Sequence, residues 1–483
     1  MTQPGAARRR ADSQHAEDQA GAVPEPFQAE PLRVFNPLLD APVLPTLLRL
    51  AAPNVFSMGA SIAIVIAETS YVGRLGTAPL AAIALMFPII MLMNTMSGGA
   101  MGGGATSAIS RALGAGDSRR ASMLAVHALI MGIGIGLAFT ILLLMFGQTI
   151  LRLMGGRGDV LREAMAFSHI FFFGIVLIWL MNTLVAILRA TGNMKLPSAI
   201  VFSSAACQIC IGGTLSLGLF GAPQLGLPGI AIGQIASFAI GVIVMGSYLL
   251  SSRSRINLLI KPFRFHGEMF ADILKVGAVA CLYPIQSVLT LSILTGMLAH
   301  FGTEILAGYG IGARLEFLLT TISFACGVAS VPMVGMAVGA GRIARARRVA
   351  WTGTSVALVG VGLLGTFVAL YPDLWVDQFT DDAGVRAASA EYLRIAGPLY
   401  MFLSIGITLY FSSQGAAKVF SAVIAQFTRL VFVIGIGSWL LATGASHTAF
   451  FFLAGGAMTV FGLVTAASVA MTSWAPRNAA PPP

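Results

Sequence analysis

The sequence predicts an all-α, polytopic membrane protein of about twelve transmembrane helices, arranged as two parallel six-helix repeats. Composition, the recurrence of long apolar segments and an internal repeat carry that prediction. Of the 483 residues, 57% are hydrophobic and only 10% are charged, against about 25% charged in soluble domains, so water is not the main solvent. Apolar segments of roughly 20 residues or more recur from Leu47 to Ala470. Each is long enough to cross a hydrocarbon core of about 30 Å at about 1.5 Å per residue. A transmembrane barrel would instead show alternating segments of about 10 residues.

In order, the first half holds spans at about 47–70, 79–108, 121–150, 162–188, 196–219 and 228–250. The second half holds spans at about 271–299, 305–338, 349–371, 387–412, 418–442 and 448–472. The implied organisation is a disordered cytoplasmic tail over 1–45, an N-lobe over 46–252, a cytoplasmic linker over 253–270, a C-lobe over 271–474 and a second tail over 475–483. Arg8, Arg9 and Arg10 are followed by no apolar stretch of signal-peptide type.

The net charge of +10 raises the question of nucleic acid, and the position of the charges argues against it. The basic residues lie between the spans, and they alternate. Arg111, Arg119 and Arg120, then Arg189 and Lys195, then Arg253, Arg255, Lys261 and Arg264, then Arg342, Arg345, Arg347 and Arg348, and finally Lys418 all fall on one side. With the tails, that side holds about 21 of the 29 Lys and Arg. The other side holds Arg74, Arg152, Arg157 and Arg162 and the acidic group Asp373, Asp377, Asp381 and Asp382. The positive-inside rule then puts both termini in the cytoplasm.

Matching punctuation in the two halves signals duplication. Leu75-Gly76-Thr77 pairs with Phe301-Gly302-Thr303, and Ala112-Leu113-Gly114-Ala115-Gly116 with Ala337-Val338-Gly339-Ala340-Gly341. Gly192-Asn193-Met194-Lys195 pairs with Gly415-Ala416-Ala417-Lys418. An even number of spans per repeat makes the repeat parallel, with its pseudo-twofold axis along the membrane normal, as in transporters whose site lies between lobes.

The residues that punctuate the spans resemble a known family. They are Ala52-Pro53, Glu68-Thr69 and Gly73-Arg74-Leu75-Gly76 in the first span, and Leu188-Arg189-Ala190-Thr191-Gly192-Asn193-Met194-Lys195 after the fourth. In the second half they are Arg314-Leu315-Glu316, Pro332-Met333-Val334-Gly335 and Gln414-Gly415-Ala416-Ala417-Lys418. Together, from about Leu47 to Ala470, they resemble the multidrug and toxic compound extrusion (MATE) transporters of bacteria. The resemblance implies a multi-pass protein of the bacterial cytoplasmic membrane, monomeric and without a cofactor. It would exchange inward-moving protons or sodium ions for drug-like, cationic or amphipathic molecules, with membrane lipids as its surroundings.

Ionisable residues inside spans cost on the order of 2.5–3.5 kcal/mol each on insertion scales, so the few present are candidates for function. Glu68 is the one carboxylate of the first half that no loop accommodates. It could be a snorkelling interfacial group or a cation site. The resemblance implies the second, with Pro53, fifteen positions earlier, as the bend of that helix. Two departures from the family bear on this. Where many relatives carry Asn-x-x-x-Asp in the fifth span, this chain has Gln208-Ile209-Cys210-Ile211-Gly212, and the seventh-span glutamate of another branch is absent at Pro284-Ile285-Gln286-Ser287. Both shift the ion-coupling role onto Glu68 and Glu316.

Arg314 and Glu316 point about 200° apart on one helix and cannot pair, so Arg429 is the expected partner of Glu316. Asn54, Asn182, Gln208, Gln234 and Gln286 either line a cavity, with Arg314 and Arg429, or hydrogen-bond between helices. Phe171, Phe172, Phe173 and Trp179 read as lipid contact or substrate stacking, and the four cysteines as packing residues. A flippase for a lipid-linked precursor, on a similar helix plan, is the alternative, although its pyrophosphate cargo would favour more buried cations. A membrane enzyme would need a nucleophile–base or metal constellation, and His127 and His169 stand alone.

Overall fold

The computed structural model describes residues 36–251, 254–256, 258 and 265–475, with the side chains of Ser61 and Ile62 outside that description. Among these residues there is no strand. Ten helices are long and apolar enough to cross a membrane, and two bent pairs bring the number to twelve. After a short α1 (Pro37–Asp40), the N-lobe spans are α2 (Val43–Leu75), α3 with α4 (Thr77–Asn94 and Gly102–Gly114), α5 (Ser118–Leu153), α6 with α7 (Gly158–Phe173 and Ile175–Ala190), α8 (Lys195–Leu217) and α9 (Leu227–Leu250). The C-lobe spans are α10 with α11 (Gly267–Ala280 and Leu282–Leu298), α12 (Thr303–Gly339) and α13 (Ile343–Leu370). After the short α14 (Asp373–Val376) come α15 with α16 (Ala383–Ala396 and Tyr400–Gly415), α17 (Phe420–Ala442) and α18 (His447–Met471).

Three features add to or differ from the twelve spans and the 1–45 tail expected from the sequence. The fourth and tenth spans are broken, by 48° between α6 and α7 and by 57° between α15 and α16. Gly174 terminates α6, and Pro398, lacking an N–H, follows α15. The two breaks occupy matching places in the repeat, so they belong to the architecture of each lobe. The second span carries seven π-helical residues, Thr95–Met101, between α3 and α4. There the Thr95 and Ser97 hydroxyls donate to the Met91 and Met93 carbonyls at 2.8 and 2.6 Å, satisfying backbone that the widened turn disturbs. Residues 36–45, counted with the tail, are largely helical, because Asn36 caps α1 and Leu38 is buried. The rest of that tail and residues 253, 257 and 259–264 of the linker lie outside the described residues, and α10 begins inside the linker at Gly267.

Backbone geometry repeats with the sequence. Gly76 and Gly302, 226 residues apart, have φ of 120° and 97°, and Gly116 and Gly341, 225 apart, have φ of 81° and 73°. The third match moves. Gly192, with φ of 83°, corresponds in conformation to Ala417, with φ of 56°, and not to Gly415. The left-handed turn, not the glycine, is what the repeat preserves, and an alanine there costs about 1–2 kcal/mol.

Buried apolar residues form three clusters. One fills the N-lobe and one the C-lobe. The third crosses between lobes at the end of the basic connections, where Leu47 and Leu50 of α2 meet Met333 and Ala337 of α12 and Val349 of α13. There α4, buried along Gly102–Ser110, packs against α7, α10, α12 and α16. Lipid supplies little hydrophobic drive between helices, so such contacts depend on small residues that let backbones approach. Gly114 lies against the Met336 backbone and Gly339 against the Arg111 backbone. Because 339 and 336 each follow their counterparts by 225, this crossing is itself pseudo-symmetric.

Candidate functional site

Glu68 lies on α2, near the end remote from the basic connections. Its Oε1 accepts hydrogen bonds from Gln208 Nε2 of α8 at 2.7 Å and from Gln234 Nε2 of α9 at 3.1 Å. Three residues singled out separately from the sequence thus meet as one cluster on three helices of one lobe. No arginine or lysine pairs with the carboxylate among the described residues. The Gln234 Oε1 is buried and without a partner. Close helix packing makes the arrangement possible: Gly233 of α9 lies against the backbone of Gly212, one turn beyond Gln208. Gly212 thus stands at a backbone-to-backbone crossing.

The other N-lobe candidates do not join this cluster. Pro53 sits inside an unbroken α2. Asn54 is buried near the basic end, where Arg189 donates to its Oδ1 at 3.5 Å. Asn182 donates to Ser97 at 2.8 Å and so fastens α7 to the π-helical turn. Trp179 and Phe139 stack at 5.7 Å inside the N-lobe, whereas Phe173 is exposed on its outer surface. Cys326 is buried, but Cys210 is exposed, so packing accounts for the first and not the second.

In the C-lobe, Glu316 lies on α12, the helix whose Tyr309 packs edge-on against the buried Tyr392 of α15 at 5.2 Å. Tyr400 donates to the Gly312 carbonyl at 3.1 Å, one turn before Glu316. The expected Glu316–Arg429 bridge does not form within 4.0 Å among the described residues. Arg429 is buried, acts on Glu316 through its field, and leaves its Nε without a partner. Gln426, three residues before it on α17, has both amide atoms unpaired, and Gln286 of α11 has its Oε1 unpaired. Arg314, taken from the sequence as a cavity residue, is instead exposed, with its guanidinium 5.3 Å from the centre of the Phe379 ring. Its 200° separation from Glu316 sends it outward.

The sequence reading missed the polar seam between the lobes. Arg111 of α4 pairs with Asp272 of α10 at 2.7 Å, and Arg120 reaches the same carboxylate at 3.6 Å. Arg111 also donates to Ser107, whose hydroxyl donates to the Gln414 carbonyl of α16. On the other side, Arg342 pairs with Asp40 at 2.8 Å, and Arg345 donates to the Leu38 and Ala41 carbonyls. In each case the segment leading into one lobe's first span is tied to a connection of the other lobe. The Asn36 N–H and then Arg342 hold the Asp40 carboxyl below its ordinary value of 3.8. That tie is therefore complete above the ordinary value and is lost as pH falls through the lowered one.

The Asp272→Asn variant leaves Arg111 without a counter-charge, at a cost of about 1–3 kcal/mol to this closed seam, less where water screens the pair. Labels at Ser118 and Ala344, one per lobe, are expected to show a longer-distance population in Asp272→Asn. An unchanged distance distribution would show that the pair does not hold the lobes together.

The MatE family model matches residues 53–213 and 283–440. A protein of Shewanella oneidensis named as a FAD transporter is 23% identical over 407 residues, 83% of this chain and 90% of its own length. A probable multidrug resistance protein, NorM, of Thermotoga maritima is 23% identical over 386 residues, 80% of this chain and 82% of its own. A solved transporter of the MOP superfamily from Pyrococcus furiosus superposes with a TM-score of 0.82 at 21% identity, over 89% of this chain and 95% of that one. An all-helical chain of about twelve spans, whose two halves carry matching turns and matching breaks, fits the model that covers most of both halves: this chain belongs to the MatE family of multi-pass membrane transporters.

Proposed function

We propose that this chain is a proton-coupled antiporter that exports drug-like cationic or amphipathic molecules across a bacterial cytoplasmic membrane by alternating access, as a monomer with both termini cytoplasmic. The observation that carries the reading is the Glu68–Gln208–Gln234 cluster. An ionised Glu68 accepts amide N–H donors from two helices. A protonated Glu68 must donate, and an amide can turn its oxygen toward it, Gln234 Oε1 being buried and spare. Both protonation states thus have a satisfied arrangement, and they differ in how α2 is held to α8 and α9. Sodium coupling is the competing reading, since a lone carboxylate serves either ion.

If the basic end is cytoplasmic, the lobe contacts there close the cytoplasmic side. With Arg314 at the surface, Arg429 alone supplies a cation among the buried C-lobe candidates, which weighs against the pyrophosphate of a lipid-linked precursor. Because one relative is named for FAD, the substrate panel includes that dinucleotide beside fluorescent cations.

In sodium-free proteoliposomes, a proton gradient alone is expected to drive uptake of a fluorescent cation. Transport that requires sodium would replace the ion, and transport of FAD without any cation would replace the substrate class. Reporters placed after Gly221, or between Asp373 and Asp382, are expected outside the cytoplasm, and a cytoplasmic signal at either would invert the orientation.

A further inference from the structure

We infer that the N-lobe carries a binding site for the phosphate headgroup of an anionic phospholipid, in a cavity of about 520 Å³ at the end of the basic connections. The site is separate from the Glu68 cluster and borders the seam between lobes, since Leu38 and Ala41, whose carbonyls accept from Arg345, line it. Arg49 of α2, Lys195 at the start of α8 and Arg255 after α9 converge on it, together with Tyr248. None of the three cations has a carboxylate within 4.0 Å among the described residues. This contrasts with the same face of the C-lobe, where Arg342 has Asp40. Arg49, Lys195 and Arg255 are exposed around one cavity without a carboxylate partner among the described residues, a concentration of positive charge that a phosphate diester complements.

The walls favour a lipid over a soluble phosphate. Leu38, Leu50 and Leu188 line the cavity beside the cations. Outside it, Leu44 and Leu48 of α2 and Leu250 at the end of α9 are exposed on the apolar flank of the same helix ends. A headgroup drawn to Arg49, Lys195 and Arg255 would therefore find its acyl chains beside leucines facing hydrocarbon. Basic pockets between helices at the cytoplasmic surface recognise anionic headgroups in this way, and each cation there contributes about fivefold to binding.

The test uses the full-length protein in phosphatidylcholine nanodiscs with and without phosphatidylglycerol. Two quantities are read: the phosphatidylglycerol retained by native mass spectrometry and the shift in melting temperature. Phosphatidylglycerol is expected to be retained and to stabilise, and phosphatidylcholine is not. The triple variant Arg49→Gln, Lys195→Gln, Arg255→Gln should weaken retention on the order of a hundredfold, whereas Arg119→Gln, an exposed charge of the same face outside the cavity, should leave it unchanged. If the triple variant does not fold, Lys195→Gln alone should weaken retention about fivefold. Equal retention in the variants and the parent would overturn the site. An equal melting shift from glycerol 1-phosphate or inorganic phosphate would overturn the lipid as its occupant.

Discussion

Glu68→Gln protein is expected to reach the membrane in normal amounts and to lose gradient-driven efflux entirely. The substitution keeps the shape of the side chain and removes its ability to change charge. A glutamine at 68 still offers an oxygen to Gln208 and Gln234, which now donate to Glu68 at 2.7 and 3.1 Å, so the three-helix contact persists. What disappears is the difference between two protonation states. A ligand drives a conformational cycle only through unequal affinity for its states, and the fixed neutral form supplies no such inequality for a proton. Glu68→Ala should lose both the contact and the activity. Glu68→Asp, with the charge retained on a shorter side chain, should keep part of the activity. Pro53→Ala should slow turnover more than it weakens drug binding, because it restores a backbone donor in α2 without touching the carboxylate. Efflux at the parent level by well-expressed Glu68→Gln protein would move the coupling role to Glu316 and Arg429.

Architecture was legible wherever the sequence repeats a chemical signal. Span number follows from hydropathy and from charges that alternate between connections, and these are properties of single segments. Glu68, Gln208 and Gln234 could be named one by one because a polar group in a span needs a partner. That they partner one another depends on the rotation of α2, α8 and α9, of which the Gly212–Gly233 crossing sets that of α8 against α9. Arg314 shows the reverse: a charge two residues from Glu316 passed for a cavity group until helix rotation put it on the surface beside Phe379. The missing Glu316–Arg429 contact has the same origin, since position along two helices does not give the gap between them. Asp272 and Asp40 were overlooked because both sit close to basic connections, where an acid looks like an ordinary loop residue. The breaks after Phe173 and Ala396 had a local signal in Gly174 and in Gly397-Pro398, but a glycine inside an apolar run is more often a packing residue than a hinge.

Gly114→Ala and Gly339→Ala should each lower efflux by about five- to hundredfold by disfavouring closure of the lobes at the basic end. A Cβ on Gly114 would overlap the Met336 backbone, and one on Gly339 would overlap the Arg111 backbone. Backbone cannot rotate away as a side chain can, so the relief available is separation of α4 from α12. Overpacking of this kind costs about 1–3 kcal/mol, which is about a five- to hundredfold change in the balance between two states of the lobes. The N-lobe and C-lobe cores are formed without this crossing, so the melting temperature of the purified protein should change little. The Ser118–Ala344 label distance should lengthen in both variants, as in Asp272→Asn, because each change raises the cost of closure at the same seam. Gly134→Ala serves as the control, since a Cβ there meets no atom within 4 Å. Because the two glycines are related by the repeat, the two variants should behave alike. A distance that lengthens in one variant and not in the other would show that closure does not pivot on this pseudo-symmetric crossing.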